Sequence, residues 1–185
     1  MADDNYLANA APEVNYEKSI KRHLLVYKIT PGFVISSIIS YILFIVFVIG
    51  PLLICIQSTG PNSLIVRCCC ILFVLWMVSN VVLKNACVKI EDKSIKGNKE
   101  NILATMDHFF SDYDFIINDD KMMRSFTKTP SMIWGRIITI LIDNDVLYLN
   151  ISSTGKSDSP TLTHGLFNYL KAKRIAKYYK EYYGS

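Results

Sequence analysis

The end of the chain combines basic and aromatic residues at helical spacing. The stretch "LFNYLKAKRIAKYYKEYYG", Leu166 to Gly184, has a single acidic residue, Glu181. Basic side chains bind phosphate groups and aromatic rings stack on bases. The composition therefore indicates a site for a cyclic or linear oligonucleotide or a nucleotide. The candidate ligand-binding residues are Lys171, Lys173, Arg174, Lys177, Lys180 and Tyr178.

Two other interpretations of this stretch stay open. The basic face can simply be solvated, or the helix can be pressed against anionic lipid. In all three cases the apolar residues are expected to face the rest of a folded domain. These are Leu166, Leu170, Ile175 and Tyr178 or Tyr179.

A second group of unusual residues lies in long apolar stretches. Arg67 is the only charged residue between Phe33 and Leu83. An ionisable group within a membrane segment is a functional hypothesis by default. Arg67 either extends its side chain to the nearby interface or joins a ring at the mouth of an oligomeric pore. Small polar residues suit helix contacts or a wet lining, and Ser36, Ser40 and Asn80 are the candidates.

The motifs of catalysis and metal binding are absent from the sequence. There is no G-x-S-x-G, no Gly-rich phosphate loop and no H-E-x-x-H motif. The three histidines are far apart, and the five cysteines form no C-x-x-C pair. We therefore expect no catalytic residue, no metal site and no cofactor, and we expect that the protein is not an enzyme.

The apolar stretches themselves predict a membrane hairpin within residues 31–84. The first span, 33–57, has no charged residue. A helix of that length reaches about 37 Å, which exceeds the roughly 30 Å hydrocarbon core of a bilayer. The second span is 63–84, and the short polar turn between them favours a tight antiparallel pair.

Basic residues near the ends of the two spans predict the orientation of this hairpin. They are Lys18, Lys21, Arg22 and Lys28 before the first span, and Lys84, Lys89, Lys93 and Lys96 after the second. The connecting turn has none. Because positive charge favours the cytoplasmic side, both termini are expected to be cytoplasmic.

Residues 1–30 form a separate region before the hairpin. The first 12 residues are small and polar, which is typical of a disordered tail. Residues 13–30 have the spacing of an amphipathic helix, with Val14, Ile20, Leu24 and Tyr27 on one side. This helix is expected either to lie flat on the cytoplasmic leaflet or to be a frayed continuation of the first span.

Residues 85–185 have the pattern of a small cytosolic α+β domain. The pattern predicts a first helix, capped by Asn98, and a last helix over Gly165 to Tyr183. Between them it predicts four strands, Asp112 to Asn118, Met122 to Lys128, Arg136 to Ile142 and Val146 to Ser152. We expect a four-stranded antiparallel sheet with both helices on one face.

A resemblance supports the same fold. The stretch "MMRSFTKTPSMIWGRIITILIDNDVLYLNISSTG" and the Lys-rich helix that follows it, within residues 120–180, resemble a small bacterial α+β domain often attached to membrane helices. That family has no established activity, so the resemblance implies a fold alone. The whole layout is similar to two-helix membrane effectors of bacterial anti-phage signalling systems, which are gated by nucleotide signals. This similarity implies a bacterial inner membrane as the location.

Three functions fit the sequence. The first is a ligand-gated membrane effector, in which an anionic signal binds the cytosolic domain and a homo-oligomer of hairpins forms a channel. The second is a membrane-anchored adaptor or immunity protein that binds a partner protein. The third is an enzyme acting on lipid, for which no nucleophile or metal site is visible. We predict the first, with the second as its alternative.

Overall fold

The computed structural model describes residues 13–29, 31–60, 62–91, 98–111, 113–128, 135–144, 146–154, 161 and 163–183. The predicted N-terminal tail and the polar loops at 129–134 and 155–160 lie outside these residues, as do the side chains of Ser36 and Asn98. In chain order the helices are α1 (Tyr16–Arg22), α2 (Pro31–Gln57), α3 (Ser63–Leu83), α4 (Asn98–Phe109) and α5 (Gly165–Tyr183). The strands are β1 (Val88–Glu91), β2 (Phe115–Asn118), β3 (Met122–Lys128), β4 (Gly135–Asp143) and β5 (Val146–Thr154).

Helices α2 and α3 form the hairpin that the sequence predicts. They pack side by side, and each contains a segment long and apolar enough to cross a membrane, Ser37–Gln57 and Ser63–Leu83. Most of their apolar side chains are exposed. The short connection contains Gly60, whose φ of 104° is favourable only for glycine.

The sheet is antiparallel and has five strands, in the order β1-β5-β4-β3-β2. The prediction of four strands was therefore wrong by one. The missed strand, β1, has only four residues and pairs Val88 with Leu149 at the edge of the sheet. A strand this short gives little periodicity in the sequence, and it begins soon after a long apolar helix.

The hairpin turns of the sheet follow from local side-chain chemistry. Asn144 has a φ of 49° in the two-residue turn between β4 and β5, where such turns require the left-handed conformation. Asp119 accepts a hydrogen bond from the backbone N–H of Lys121 at 2.9 Å between β2 and β3. Asparagine and aspartate favour both arrangements, so the sequence predicts these turns well.

Helices α4 and α5 cover one face of the sheet, as predicted. The core between them contains Ile102 and Met106 from α4, and Ile175 and Tyr179 from α5, all fully buried. From the sheet it receives alternate residues of each strand, including Ile140 and Leu149. Period-two alternation in the strands places these side chains on a single face.

The segment before the hairpin covers the other face of the sheet. Helix α1 covers only Tyr16–Arg22, shorter than the predicted amphipathic helix, because His23 adopts a φ of 52° and ends it. Val14 and Tyr27 pair as an antiparallel bridge and pack with Leu25 against the sheet. Val14 and Tyr27 are thus covered by protein and unavailable to a lipid surface, whereas Leu24, on the same predicted apolar side, is 40% exposed.

Buried polar groups fix the chain where it leaves α3. The Asn150 side-chain amide donates hydrogen bonds to the carbonyl oxygens of Ala86, at 2.9 Å, and Lys84, at 3.3 Å. Its own oxygen accepts from the Ser152 hydroxyl at 2.8 Å. Because the sheet interior supplies few other partners for these carbonyls, the bonds hold the end of α3 firmly against β5.

Candidate functional site

The basic residues of α5 are distributed around the helix instead of forming one patch. Lys171 and Lys180 are nine positions apart, which places them about 180° apart around a helix of 3.6 residues per turn. Lys173, Arg174, Lys177 and Lys180 are exposed. One ligand cannot contact all five predicted cations, so the structure divides the predicted site.

The β1 side of α5 carries Lys173 and Lys180. The Lys173 ammonium lies 5.1 Å from the centre of the Tyr169 ring. The pKa of the Glu91 carboxyl is lowered, chiefly by the Lys89 ammonium that donates to it and also by the charge of Lys180. The Glu91 carboxylate therefore already compensates part of the positive charge on this side.

The α4 side of α5 is more strongly cationic. The Lys171 ammonium lies 4.1 Å from the centre of the Phe110 ring, and the Arg136 guanidinium carbon lies 4.8 Å from the same centre. Burial lowers the pKa of the Lys171 ammonium, and the charge of Arg136 lowers it further. Two cations that share one ring in this way leave positive charge available to an anion.

Aromatic rings extend along the same side of α5 towards its C-terminal end. Tyr178 stacks on His108 of α4 at 4.5 Å between ring centres and on Tyr182 at 4.2 Å. His108 is exposed, and Tyr182 is 68% exposed. Rings held face to face and partly open to solvent can extend their stack to a planar base.

We refer to these residues together as the α4–α5 surface. It consists of Lys171, Arg174, Tyr178 and Tyr182 from α5, His108 from α4, Phe110 just after α4, and Arg136 from β4. Arg174 belongs to it by helical spacing, since it lies three residues after Lys171 and four before Tyr178. Three of the six predicted residues belong to it, namely Lys171, Arg174 and Tyr178. The exposed Lys177 lies beside it and forms a 3.5 Å ion pair with Glu181, one turn further along α5.

Sequence reasoning missed several members of this surface and misplaced one neighbour. His108, Phe110 and Arg136 lie far from α5 in the chain, and only the packing of α4 and β4 brings them close. Leu170, predicted to face the sheet, is 51% exposed. It lies about 140° around the helix from the buried Ile175, so both cannot face the sheet.

A close junction connects α5 to the hairpin. The Asn80 side-chain oxygen accepts a hydrogen bond at 3.0 Å from the backbone N–H of Leu166, in the first turn of α5. Its amide donates to the Trp76 carbonyl at 2.8 Å within α3. A Cβ atom on Gly165 would lie 2.0 Å from the Asn80 carbonyl oxygen. Asn80, predicted as a pore or helix-interface residue, therefore binds the end of α3 to the start of α5.

The other candidate residues of the hairpin lie away from this junction. Arg67 donates a hydrogen bond at 3.0 Å to the carbonyl oxygen of Ser58, just after α2 ends. A cation at the C-terminus of a helix interacts favourably with its macrodipole. Ser40 is half-buried in α2, and the side chain of Ser36 is outside the described residues.

Metal chemistry has no evident centre in the part of the chain that the structure describes. No group of three or more histidine, cysteine, aspartate or glutamate side chains there could hold a metal ion. The five cysteines are free thiols, and burial raises the pKa of the Cys87 thiol to about 12. A thiol with so high a pKa is a weak nucleophile at neutral pH.

Comparison with known proteins gives no relative. No family model, no curated protein and no solved structure matches this chain.

Proposed function

We propose that this protein is an integral membrane effector controlled by an anionic nucleotide or oligonucleotide. In this proposal the α2–α3 hairpin crosses the bacterial inner membrane with both termini in the cytoplasm. The signal binds the α4–α5 surface, and several hairpins assemble into a pore that the signal opens. We include a role in anti-phage defence because the layout resembles that of two-helix membrane effectors of anti-phage signalling systems.

The observation that carries the proposal is the junction between α5 and α3. A ligand bound on α5 contacts a helix whose first turn is hydrogen-bonded to Asn80 and packed against the backbone of α3 at Gly165. Tightly packed elements transmit small displacements because they cannot deform continuously. A shift of α5 on binding would therefore move the end of α3.

The chemistry of the α4–α5 surface supports the choice of ligand. Lys171, Arg174 and Arg136 offer positive charge for phosphates, and the stacked rings of His108, Tyr178 and Tyr182 offer planar faces for bases. An anion that carries both phosphate and an aromatic base uses both features. A simple inorganic anion would use only the first.

A second candidate function rests on the same exposed rings. The 68% exposed Tyr182 and its stacked neighbours also suit a protein partner, since tyrosine is enriched at binding hot spots. In that case the protein is a membrane-anchored adaptor or immunity protein. It would bind a partner through α4 and α5 and conduct no ions.

The test uses the full chain in vesicles loaded with a potential-sensitive dye. Cyclic dinucleotides, cyclic trinucleotides and short oligonucleotides are titrated while binding and ion flux are recorded. We expect one of them to bind and to depolarise the vesicles. The double variant Lys171→Gln/Arg174→Gln should weaken binding roughly tenfold or more, because hydrogen bonds to charged groups contribute about 1.5–3 kcal/mol.

The matched control is Lys173→Gln/Lys180→Gln, which removes the same charge from the β1 side of the same helix. This control should bind and conduct as the wild type does. An equal loss of ligand binding in both variants would mean that only net charge matters and would contradict a site on the α4–α5 surface. If the wild type binds no nucleotide and depolarises no vesicle, the adaptor function becomes the better one.

A further inference from the structure

Exposed apolar residues of the folded domain concentrate at the end that faces the hairpin. Outside α2 and α3, the three most exposed large aliphatic or phenylalanine side chains that the structure describes are Ile29 (82% exposed), Phe167 (60%) and Leu170 (51%). Ile29 lies two residues before α2 begins, and Phe167 and Leu170 lie in the first two turns of α5. Exposed apolar clusters of this kind mark interaction surfaces.

The structure also gives the level of these residues relative to the hairpin. The Lys84 ammonium, just after α3, lies 5.4 Å from the centre of the Tyr41 ring of α2. Tyrosine and lysine are the residues that anchor a span at the boundary between hydrocarbon and headgroups. A Cβ atom on Gly165 would lie 2.8 Å from the Lys84 backbone nitrogen, so α5 begins at this same level.

Simple helix geometry then places Phe167 within the headgroup layer and Leu170 at its outer edge. They lie two and five residues after Gly165, and so about 3 and 7.5 Å along the axis at 1.5 Å per residue. The headgroup region on each side of a bilayer is roughly 5–7.5 Å thick. Tilting of α5 lowers both heights and brings Leu170 further into the layer.

We propose that Phe167 and Leu170 form a docking surface that inserts into the lipid interface beside the hairpin. Ile29 is not part of it, because the ten residues of α2 between Pro31 and Tyr41 span about 15 Å and carry Ile29 beyond the headgroup layer. The partner is the bilayer itself, since the surface begins at the level where α3 ends and lies close to Lys84. The inference rests on the membrane-spanning hairpin of the proposed function. It assigns the first turns of α5 to lipid and leaves the α4–α5 surface, further along the helix, to the signal.

Docking of the first turns of α5 would restrict the orientation of the domain on the membrane. Phe167 and Leu170 follow the Asn80 contact along α5 and would add a second point of attachment beside it. A ligand that tilts α5 would then have to withdraw part of the docking surface from the lipid.

The test uses single-tryptophan variants of the full chain, reconstituted in bilayers of phosphatidylcholine and phosphatidylglycerol. In a background with both native tryptophans replaced by phenylalanine, Phe167→Trp and Leu170→Trp report on the docking surface. Tyr182→Trp is the matched control, because Tyr182 is equally exposed but lies at the far end of α5. A fourth protein keeps only native Trp76, within α3, and reports on the span.

We expect lipids brominated near the headgroup to quench the tryptophans at 167 and 170, with blue-shifted emission. The tryptophan at 182 should emit as in water and remain unquenched. Trp76 lies eight residues before Lys84, about 12 Å deeper, so it is tested with lipids brominated near the ends of the acyl chains. If Trp76 is quenched by those lipids but the tryptophans at 167 and 170 are not quenched by the first kind, the docking inference fails while the spanning hairpin stands. If neither kind of lipid quenches Trp76, the spanning hairpin itself fails. Emission at 167 that is blue-shifted yet insensitive to bromine would show contact with protein and would also overturn the inference.

Discussion

Gly165 and Asn80 illustrate how single residues connect the hairpin to the α+β domain. The first turn of α5 approaches the backbone of α3 so closely that no side chain fits at position 165. The Asn80 oxygen meanwhile satisfies a backbone N–H that the start of a helix leaves without an intrahelical partner. Neither residue forms a recognisable motif in the sequence, because their roles depend on a contact across 85 positions.

Gly165→Ala is expected to weaken this junction. The new Cβ would overlap the Asn80 carbonyl oxygen and the Lys84 nitrogen, both backbone atoms that cannot simply rotate away. Overpacking of this kind costs about 1–3 kcal/mol. Thermal unfolding in detergent should show the loss of stability, and any ligand-driven ion flux should fall with it.

Gly50→Ala is the control for that substitution. Gly50 lies within α2, and a Cβ added there meets nothing within 4 Å. Alanine also has a higher helix propensity than glycine. This variant should be at least as stable as the wild type. A Gly165→Ala protein that unfolds and conducts as Gly50→Ala does would contradict the close junction.

Cys87 predicts how stability depends on alkaline pH. Burial raises its pKa from 9.0 to about 12, so the folded thiol keeps its proton where the unfolded chain has lost it. Unfolding then releases a proton, and the stability from this group, complete below pH 9.0, declines as pH rises towards 12. The slope is at most about 1.4 kcal/mol per pH unit.

The check compares wild type with Cys87→Ala, because lysine and tyrosine side chains titrate in the same range in both proteins. Free energies of unfolding are measured from pH 8 to 10.5. The difference in the free energy of unfolding between the wild type and Cys87→Ala should shrink as pH rises. A difference that stays constant would mean that the thiol is accessible to solvent.

At the scale of elements, the segment before the hairpin is an integral part of the folded domain. Its backbone bonds to the chain that follows α3, with the Leu25 N–H donating to the Asn85 carbonyl at 2.8 Å. Its side chains close the second face of the sheet, and Tyr16 donates a hydrogen bond to the Ile142 carbonyl. Removing it would expose the apolar side chains of Leu141 and Tyr148.

Two adjacent leucines test this packing. Leu25 is 2% exposed, whereas Leu24 is 40% exposed. Leu25→Ala should destabilise the protein by about 2–5 kcal/mol, as buried leucine truncations do. Leu24→Ala should change stability by roughly 0.5 kcal/mol or less. Thermal unfolding distinguishes them, and equal effects would show that the segment is not packed on the sheet.

Elements with strong local signals were predictable, and elements defined by long-range pairing were not. Helix α5 spans Gly165–Tyr183, the range predicted from its periodicity, and β3 spans Met122–Lys128, also as predicted. The edge strand β1 and the docking of α1 depend on partners more than 50 residues away. The sequence shows that Tyr27 and Val14 are apolar, but it does not show whether lipid or a sheet covers them.

At the scale of the whole molecule, the candidate site was also only partly predictable from the sequence. The cations of α5 were visible in the sequence, and their helical spacing already limits which of them can act together. The choice of the α4 side depends on Arg136 and on the stacked His108, which the fold brings to α5. The lysine and tyrosine content of α5 therefore indicates which side chains could bind a phosphate or a base, but the geometry of the surface depends on the fold.

The fold also constrains how the whole chain can sit in a membrane. Residues 13–29 precede the hairpin and the sheet follows it, yet the two pack as one unit. If the hairpin spans the bilayer, both must lie on the same side. The basic residues that flank the spans predict that this side is the cytoplasm. Packing and charge are thus two independent reasons to expect both ends on the same side.

Cysteine labelling in intact bacterial cells tests this topology. In a background without the five native cysteines, single cysteines are introduced at exposed Glu17, at Thr59 in the connecting turn and at Gly184. A membrane-impermeant maleimide should label only the cysteine at 59, because the other two positions face the cytoplasm. After the cells are permeabilised, all three should react.

Labelling at 17 and 184 but not at 59 in intact cells would reverse the orientation. Labelling at only one of 17 and 184 would separate the two ends and contradict the packing of the N-terminal segment on the sheet.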